Sequence, residues 1–276
     1  CTIWTAAKTL CLTHSTMKWT GRVMSPFFTM VMPKIGSPSG FTAVGLVIAA
    51  ITAPVSAFEY ELENHKLEIG TRARIAHVEA DENARSASLL LRLRAESEWN
   101  MQLSTLLEVD YVVLGWQDEF SNGVNFNGKP VIPDTGGTDL NQALLRYSPT
   151  NTLQLQLGRE TINFGNERFV GTNSFWQNEQ TYDNAGFNFE FGTASNFSYR
   201  YVDNANRITG QNSGKRLSPS DSNFTANNGL RPTAFLGDHD HDTHLLFAEF
   251  QEWDYSQVQA YYFDMDIKDA QSLSNQ

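Results

Sequence analysis

Met101-Gln-Leu-Ser-Thr-Leu-Leu-Glu-Val-Asp-Tyr-Val-Val113 alternates in character. Met101, Leu103, Thr105, Leu107, Val109, Tyr111 and Val113 share one parity, and Gln102, Ser104, Glu108 and Asp110 the other. Successive side chains of an extended chain point to opposite faces, so this is a strand with one apolar and one polar side. The pattern recurs upstream. Leu67, Ile69, Thr71, Ala73 and Ile75 alternate with Glu68, Gly70, Arg72 and Arg74, and Leu89, Leu91, Leu93 and Ala95 with Ser88, Arg92, Arg94 and Glu96. Downstream, Leu153, Leu155 and Leu157 alternate with Gln154 and Gln156, Phe187, Phe189 and Phe191 with Asn188 and Glu190, and Phe197, Tyr199 and Tyr201 with Ser198 and Arg200. About nine strands are expected, over 67–80, 88–97, 101–113, 140–147, 152–159, 183–191, 197–203, 243–251 and 257–266.

Alternation alone does not separate a soluble sandwich from a membrane barrel, but the connections do. Short turns near Glu98–Asn100, Ser148–Asn151, Gly192–Asn196 and Trp253–Ser256 alternate with long polar stretches at 114–139, 160–182 and 203–242. A transmembrane barrel has tight turns at one end and long loops at the other, whereas a sandwich turns every 8–12 residues or so. Trp99, Tyr111, Trp116, Tyr147, Tyr182, Trp253 and Tyr255 lie at or near strand ends, where interfacial girdles occur. The expected fold is therefore all-β: a transmembrane antiparallel up-and-down β-barrel. Nine open strands would leave two unpaired edges in lipid. Gln276 comes just past a strand, so the chain reads as the N-terminal part of a barrel of about 16–18 strands with an aqueous lumen.

The charge distribution divides the chain. Residues 1–57 hold four basic residues and no acid, so all 31 acids fall in 58–276. The net charge of -11 argues against nucleic acid as a partner, since a phosphate binder needs a basic face. Cys1 and Cys11 are the two cysteines, which removes disulfides, Cys-based zinc sites and Cys nucleophiles from 58–276. Phe41–Ile51 is an apolar run about half the length that a membrane-spanning helix needs. Lys34 precedes it, and Val55 and Ala57 fit the small-residue pattern of a cleavage site. Residues 30–57 are read as a secretory signal peptide, cleaved after Ala57, and 58–276 as the barrel region. Residues 1–29 are set aside as upstream sequence or an over-long gene start. These readings together put the protein in the bacterial outer membrane.

The run Leu157-Gly-Arg-Glu-Thr-Ile-Asn-Phe-Gly-Asn-Glu-Arg-Phe-Val-Gly171, followed by Trp176-Gln-Asn-Glu-Gln-Thr-Tyr-Asp183, resembles the alginate-export family of outer-membrane porins. Thr138–Ala143 and Tyr201–Ile208 are similar to it as well, and the resemblance covers roughly 67–270. Trp176 stands where that family often has an arginine. The resemblance implies a barrel that carries an anionic polysaccharide. It singles out Arg168, Gly171, Gln177, Asn178, Gln180 and Asp183 as the motif loop.

The polar parity carries Arg72, Arg74, Arg92, Arg94, Arg146 and Arg200, with Arg159 at a strand end where it is expected to turn inward. Guanidinium forks suit carboxylates, and a pore lined with them would attract uronate groups. Glu108 and Asp110 share that wall, along with Glu68, Glu96, Glu160 and Glu190. Mutual pairing of Arg and acid across the wall is the bland reading of the same residues. His239-Asp-His-Asp-Thr-His244 is the one metal-like cluster. His239 and His241 would share a side, but a solvated loop entering the eighth strand accounts better for His239, His241 and His244, and no metal or other cofactor is expected. No catalytic constellation is recognisable.

The favoured function is passive passage of an anionic polysaccharide or oligosaccharide, alginate-like, through an Arg-lined lumen. Its partners would be outer-membrane lipid, the polymer and a periplasmic export partner. A general or small-solute porin is one alternative. A secreted all-β carbohydrate-binding or adhesive domain is the other.

Overall fold

The computed structural model describes residues 15–19, 28–30, 47–211, 213–253 and 256–269, with side chains over 58–211, 213–251 and 257–269. The upstream segment 1–29 and the signal-peptide segment 30–57 fall largely outside the described residues.

One antiparallel sheet accounts for the strands. They are β1 (Ser15–Trp19), β2 (Phe28–Met30), β3 (Val47–Leu62), β4 (His65–Glu79), β5 (Ala84–Glu98), β6 (Leu103–Gly115), β7 (Gly137–Tyr147), β8 (Leu153–Glu160), β9 (Thr181–Phe191), β10 (Ser195–Asn206), β11 (Asp238–Trp253) and β12 (Ser256–Ile267). Ten of them, β3 to β12, follow one another up and down in an open sheet, and β1 and β2 pair with the free edge of β3.

The nine expected strands all form, as β4 to β12, with ends shifted by a few residues. The tenth, β3, is not among the strands that the alternation predicts. Phe58-Glu-Tyr-Glu-Leu62 alternates too, but it abuts the apolar run and is too short to stand out alone. Its backbone pairs with β4 from Val47↔Glu79 to Leu62↔His65.

Short turns gather at one end of the sheet because polar side chains there replace backbone partners. Asn100 Oδ1 accepts from the N–H groups of Gln102 and Leu103 at 2.8 and 2.9 Å. Thr150 Oγ1 accepts from the N–H of Leu153 at 3.1 Å. Such local bonds are what Asn and Thr supply in turns. The connections 116–136, 161–180 and 207–237 all leave from the other end.

The two faces are inverted relative to a soluble sheet. Ile75, Leu91, Leu93, Leu107 and Leu157 are 51, 43, 45, 50 and 59% exposed, while Arg74, Glu108 and Asp110 are at most 1% exposed. The charged face is covered because the three long connections fold back over it. Phe120 and Ile132, on 116–136, pack with Ala76, Val78 and Ala84. Ile162 and Val170, on 161–180, pack with Tyr182, Val202, Ala205 and Leu245. The connections also knit to one another. Arg231 donates to the carbonyls of Gly123, Val124, Gly214 and Arg216, and Asp221 accepts from the N–H of Phe126 at 2.9 Å. The long polar stretches are thus an inner lining, not only solvated loops.

Candidate functional site

The inner face divides into a charged wall on β4–β7 and an aromatic wall on β11–β12. The charged wall begins at Arg74, whose Nη1 lies 2.6 Å from Asp134 Oδ1 with both side chains fully buried. Its guanidinium is also flanked by the rings of Phe175 and Trp176, at 4.6 and 4.4 Å. Ser88 donates to the other oxygen of Asp134 and the Gln177 N–H to the first, at 3.3 and 3.2 Å. Burial nonetheless pushes the Asp134 carboxyl above the ordinary aspartate range, against the pull of Arg74. Arg72 reaches the same connection by Nε to Gln177 Oε1 at 2.9 Å and by its amino groups to the carbonyls of Ser174, Trp176 and Gln177. Gln177 Nε2 closes the ring by donating to Ser88 Oγ at 2.8 Å.

Arg92 and Arg94 form the next layer. Arg92 grips Asp110 bidentately at 2.8 and 2.7 Å, and its remaining amino group faces Glu179 at 3.3 Å. Arg94 pairs with Glu96 and lies 3.3 Å from Glu108. A β-bulge sets this arrangement. The β6–β7 register slips between Glu108↔Gln142 and Val109↔Leu140, leaving Asn141 as the extra residue. Asn141 and Gln142 are consequently both buried, and both donate to Glu108 Oε1. Bulges commonly re-aim a side chain in this way. Counted together, Arg72, Arg74, Arg92 and Arg94 face Glu68, Glu96, Glu108, Asp110, Asp134 and Glu179, so this wall is acidic on balance.

Three further arginines of the expected track divide. Arg200 lies inward, with Nε 2.9 Å from Glu160 Oε1 and its amino groups on Phe187 O, Tyr199 O and Asn188 Oδ1. It crosses Gly186, where a Cβ would sit 2.7 Å from Arg200 Cδ and 2.1 Å from Tyr199 O, so only glycine fits beneath it. Arg146 is opposite Gln156 and has no carboxylate at ion-pairing distance among the described residues. Arg159 does not turn inward. In register it shares the side of Leu157, and Asp183 across the strand holds it bidentately at 2.6 and 2.9 Å.

The motif loop is structural over most of its length. Asn178 donates to Thr135 Oγ1 at 2.6 Å, Gln180 N–H to Thr172 O at 2.7 Å, and Tyr182 Oη to Gly171 O at 3.3 Å. A Cβ on Gly171 would lie 2.8 Å from the Glu167 Cβ. Arg168 differs: it is exposed, lies 5.6 Å from the Phe169 ring centroid, and has no carboxylate at ion-pairing distance among the described residues.

The aromatic wall faces the same side. Phe164 stacks on Phe247 with centroids 5.0 Å apart and on Phe263 at 6.2 Å. Phe169 and Tyr261 lie beside them, 5.1 Å apart. His239 and His241 are buried on this face, whereas His244 points outward to Tyr199 Oη, 2.8 Å from its Nδ1. The three histidines therefore do not converge. Among the described residues no group of three or more His, Cys, Asp or Glu is placed to hold a metal.

Asp134, Asn141, Gln142 and Glu179 escaped the sequence reading. Asp134 reads as a loop acid like any other. Asn141 gives itself away only through a bulge that breaks the alternation of Asp139, Asn141 and Ala143. No protein-family model, curated protein or solved structure matches the chain.

Proposed function

We propose that the chain builds the wall of an outer-membrane β-barrel pore that passes an anionic polysaccharide or oligosaccharide, alginate-like, by passive diffusion. The observation that carries this is the inverted polarity: exposed Leu, Ile and Val on the outward face, and charged side chains buried on the inward one. In water, each such apolar side chain left exposed forgoes about 1.5–3 kcal/mol of burial. Against lipid the same face is the favourable one, while an outward arginine would cost about 2–4 kcal/mol at the bilayer midplane. Short turns at one end and long connections at the other also suit a barrel. The inward connections would narrow the lumen, and Arg146, Arg168 and Arg200 would meet the polymer's carboxylates.

A general or small-solute porin is favoured by one specific observation: Arg74, Arg92, Arg94 and Arg200 already have carboxylate partners. Such a wall holds its charge internally and leaves little to attract an anionic chain. Planar-bilayer recording separates the two readings. Anion preference and current block by uronate oligosaccharides are the expected results. Cation preference without block would transfer the assignment to the general porin. Full solubility without detergent, with no conductance, would overturn both in favour of a secreted binding domain.

A further inference from the structure

We propose that Arg168, Phe169 and Tyr261, with Gln259 beside them, form a saccharide subsite on the aromatic wall, taking one acidic pyranose. This rests on the reading of the chain as a saccharide pore. Phe169 and Tyr261 are 57 and 54% exposed on the inner face, with Tyr261 on β12 at the edge of the described sheet. Phe263 contacts both rings, meeting Phe169 edge-on with centroids 6.4 Å apart. Phe164 lies against Phe247 and Phe263 with interplanar angles of 7 and 15°, and Tyr261 stacks on Phe263 at 22°. Gly165 lets the connection settle onto β12, since a Cβ there would lie 2.9 Å from Gln259 Oε1.

The two rings, 5.1 Å apart and tilted 42° to one another, form a shallow apolar cleft in which the C–H face of a pyranose can rest on one ring and its edge on the other. The exposed Arg168 guanidinium lies over the Phe169 ring, 5.6 Å from its centroid, with no carboxylate at ion-pairing distance among the described residues. The charged wall contrasts with this, because its arginines carry their counter-ions with them. An exposed guanidinium next to an aromatic cleft matches a sugar ring that bears a carboxylate. Gln259 donates to Glu249 at 3.0 Å, which places an amide and a carboxylate oxygen within reach of hydroxyl groups. The ligand class is therefore a sugar acid, with its ring on Phe169 and Tyr261 and its carboxylate on Arg168.

The test is calorimetric titration of the detergent-solubilised full chain with a uronic-acid tetrasaccharide, a neutral tetrasaccharide and benzoate. Arg168→Gln should weaken the uronate tetrasaccharide about tenfold and leave the neutral one unchanged. Phe169→Leu, which keeps an apolar side chain on the wall, should weaken both by a similar factor. Equal uronate affinity in the wild type and the Arg168→Gln/Phe169→Leu double variant overturns the subsite, as does benzoate binding as tightly as the uronate. The pore reading fails separately, by absence of conductance from the wild type in planar bilayers. Loss of uronate binding in the double variant, with a tryptophan fluorescence spectrum and denaturant midpoint like those of the wild type, supports the subsite.

Discussion

The charged wall on β4–β7 and the aromatic wall on β11–β12 share one face of one sheet, yet they solve burial in opposite ways. On the charged wall, guanidinium and carboxylate groups neutralise one another at 2.6–3.5 Å and clamp two connections onto the strands. On the aromatic wall, rings stack on rings and a single connection rests on them, with two rings and one arginine left open. The first arrangement spends its guanidinium groups on carboxylates of its own, although Nε and Nη2 of Arg74 stay without hydrogen-bond partners, and the second leaves a guanidinium and two rings open. A row of arginines is therefore a poor guide to where an anion goes, because the partners of each arginine decide whether it is available.

The contrast is broken most severely at Asp134. Asp134→Ala leaves Arg74 buried without its counter-ion, and one-sided loss of a buried pair costs about 3–5 kcal/mol. Phe164→Ala on the aromatic wall removes a half-buried ring that stacks on Phe247 and Phe263, and should cost less, about 1–3 kcal/mol. Denaturant unfolding of both variants in lipid vesicles, followed by tryptophan fluorescence, gives the order. A larger loss from Phe164→Ala would mean that the aromatic wall, not the ion pairs, anchors the connections.

The outward face supplies the next effect. Leu93 is 45% exposed between Arg92 and Arg94, which are both turned inward. If it meets lipid as proposed, Leu93→Arg should destabilise by about 2–4 kcal/mol. In water the same surface substitution would stay within about 0.5 kcal/mol. A small loss would remove the membrane reading while leaving the sheet as it is. Cysteine scanning gives the same answer by another route: a water-soluble thiol reagent should label a cysteine at 94 and spare one at 93.

A smaller change should follow from Arg92→Gln. It frees Asp110 and Glu179 from their shared guanidinium in a wall that is already acidic on balance. If this wall lines a pore as proposed, its charges are poorly screened, and the reversal potential in a salt gradient should move toward cation preference. Arg168→Gln, on the other wall, should move it less, because that residue is exposed and solvent screens it. Equal shifts would mean that the two walls do not differ in the way the ion pairs indicate.

The strands were legible because a period of two survives in Leu89–Ala95 and Leu103–Val113, where one face is consistently apolar. The inward fold of the connections was not legible. Asp134, Gln177 and Glu179 meet Arg74, Arg72 and Arg92 across sequence separations of 60, 105 and 87 residues, and no local pattern encodes such pairings. Arg159 keeps the outward parity of Leu155 and Leu157, which the alternation already carries; what the register adds is Asp183 across the strand, which holds the guanidinium on that side. Alternation reports which face a residue occupies but not what stands opposite it, and most of the candidate site lies in the second kind of information.

The smallest expected effect concerns the tie between the 207–237 connection and the end of the aromatic wall. Lys215 Nζ lies 2.9 Å from Asp269 Oδ1, and the Asp240 N–H donates to the other oxygen at 3.1 Å. The Lys215 hydrogen bond, then that N–H, hold the Asp269 carboxyl below the ordinary aspartate range. A depressed carboxyl pKa means that the unfolded chain binds the proton more readily than the folded one. The tie therefore contributes fully above the unfolded aspartate pKa of about 3.9 and is lost as pH falls through the lower folded value. Lys215→Met should accordingly be slightly less stable than the wild type at neutral pH, with the gap closing in strong acid. Exposed pairs contribute little, so the neutral-pH gap should be the smallest among these variants. A gap that widens on acidification would reverse the sign and place the stabilisation on a group other than Asp269.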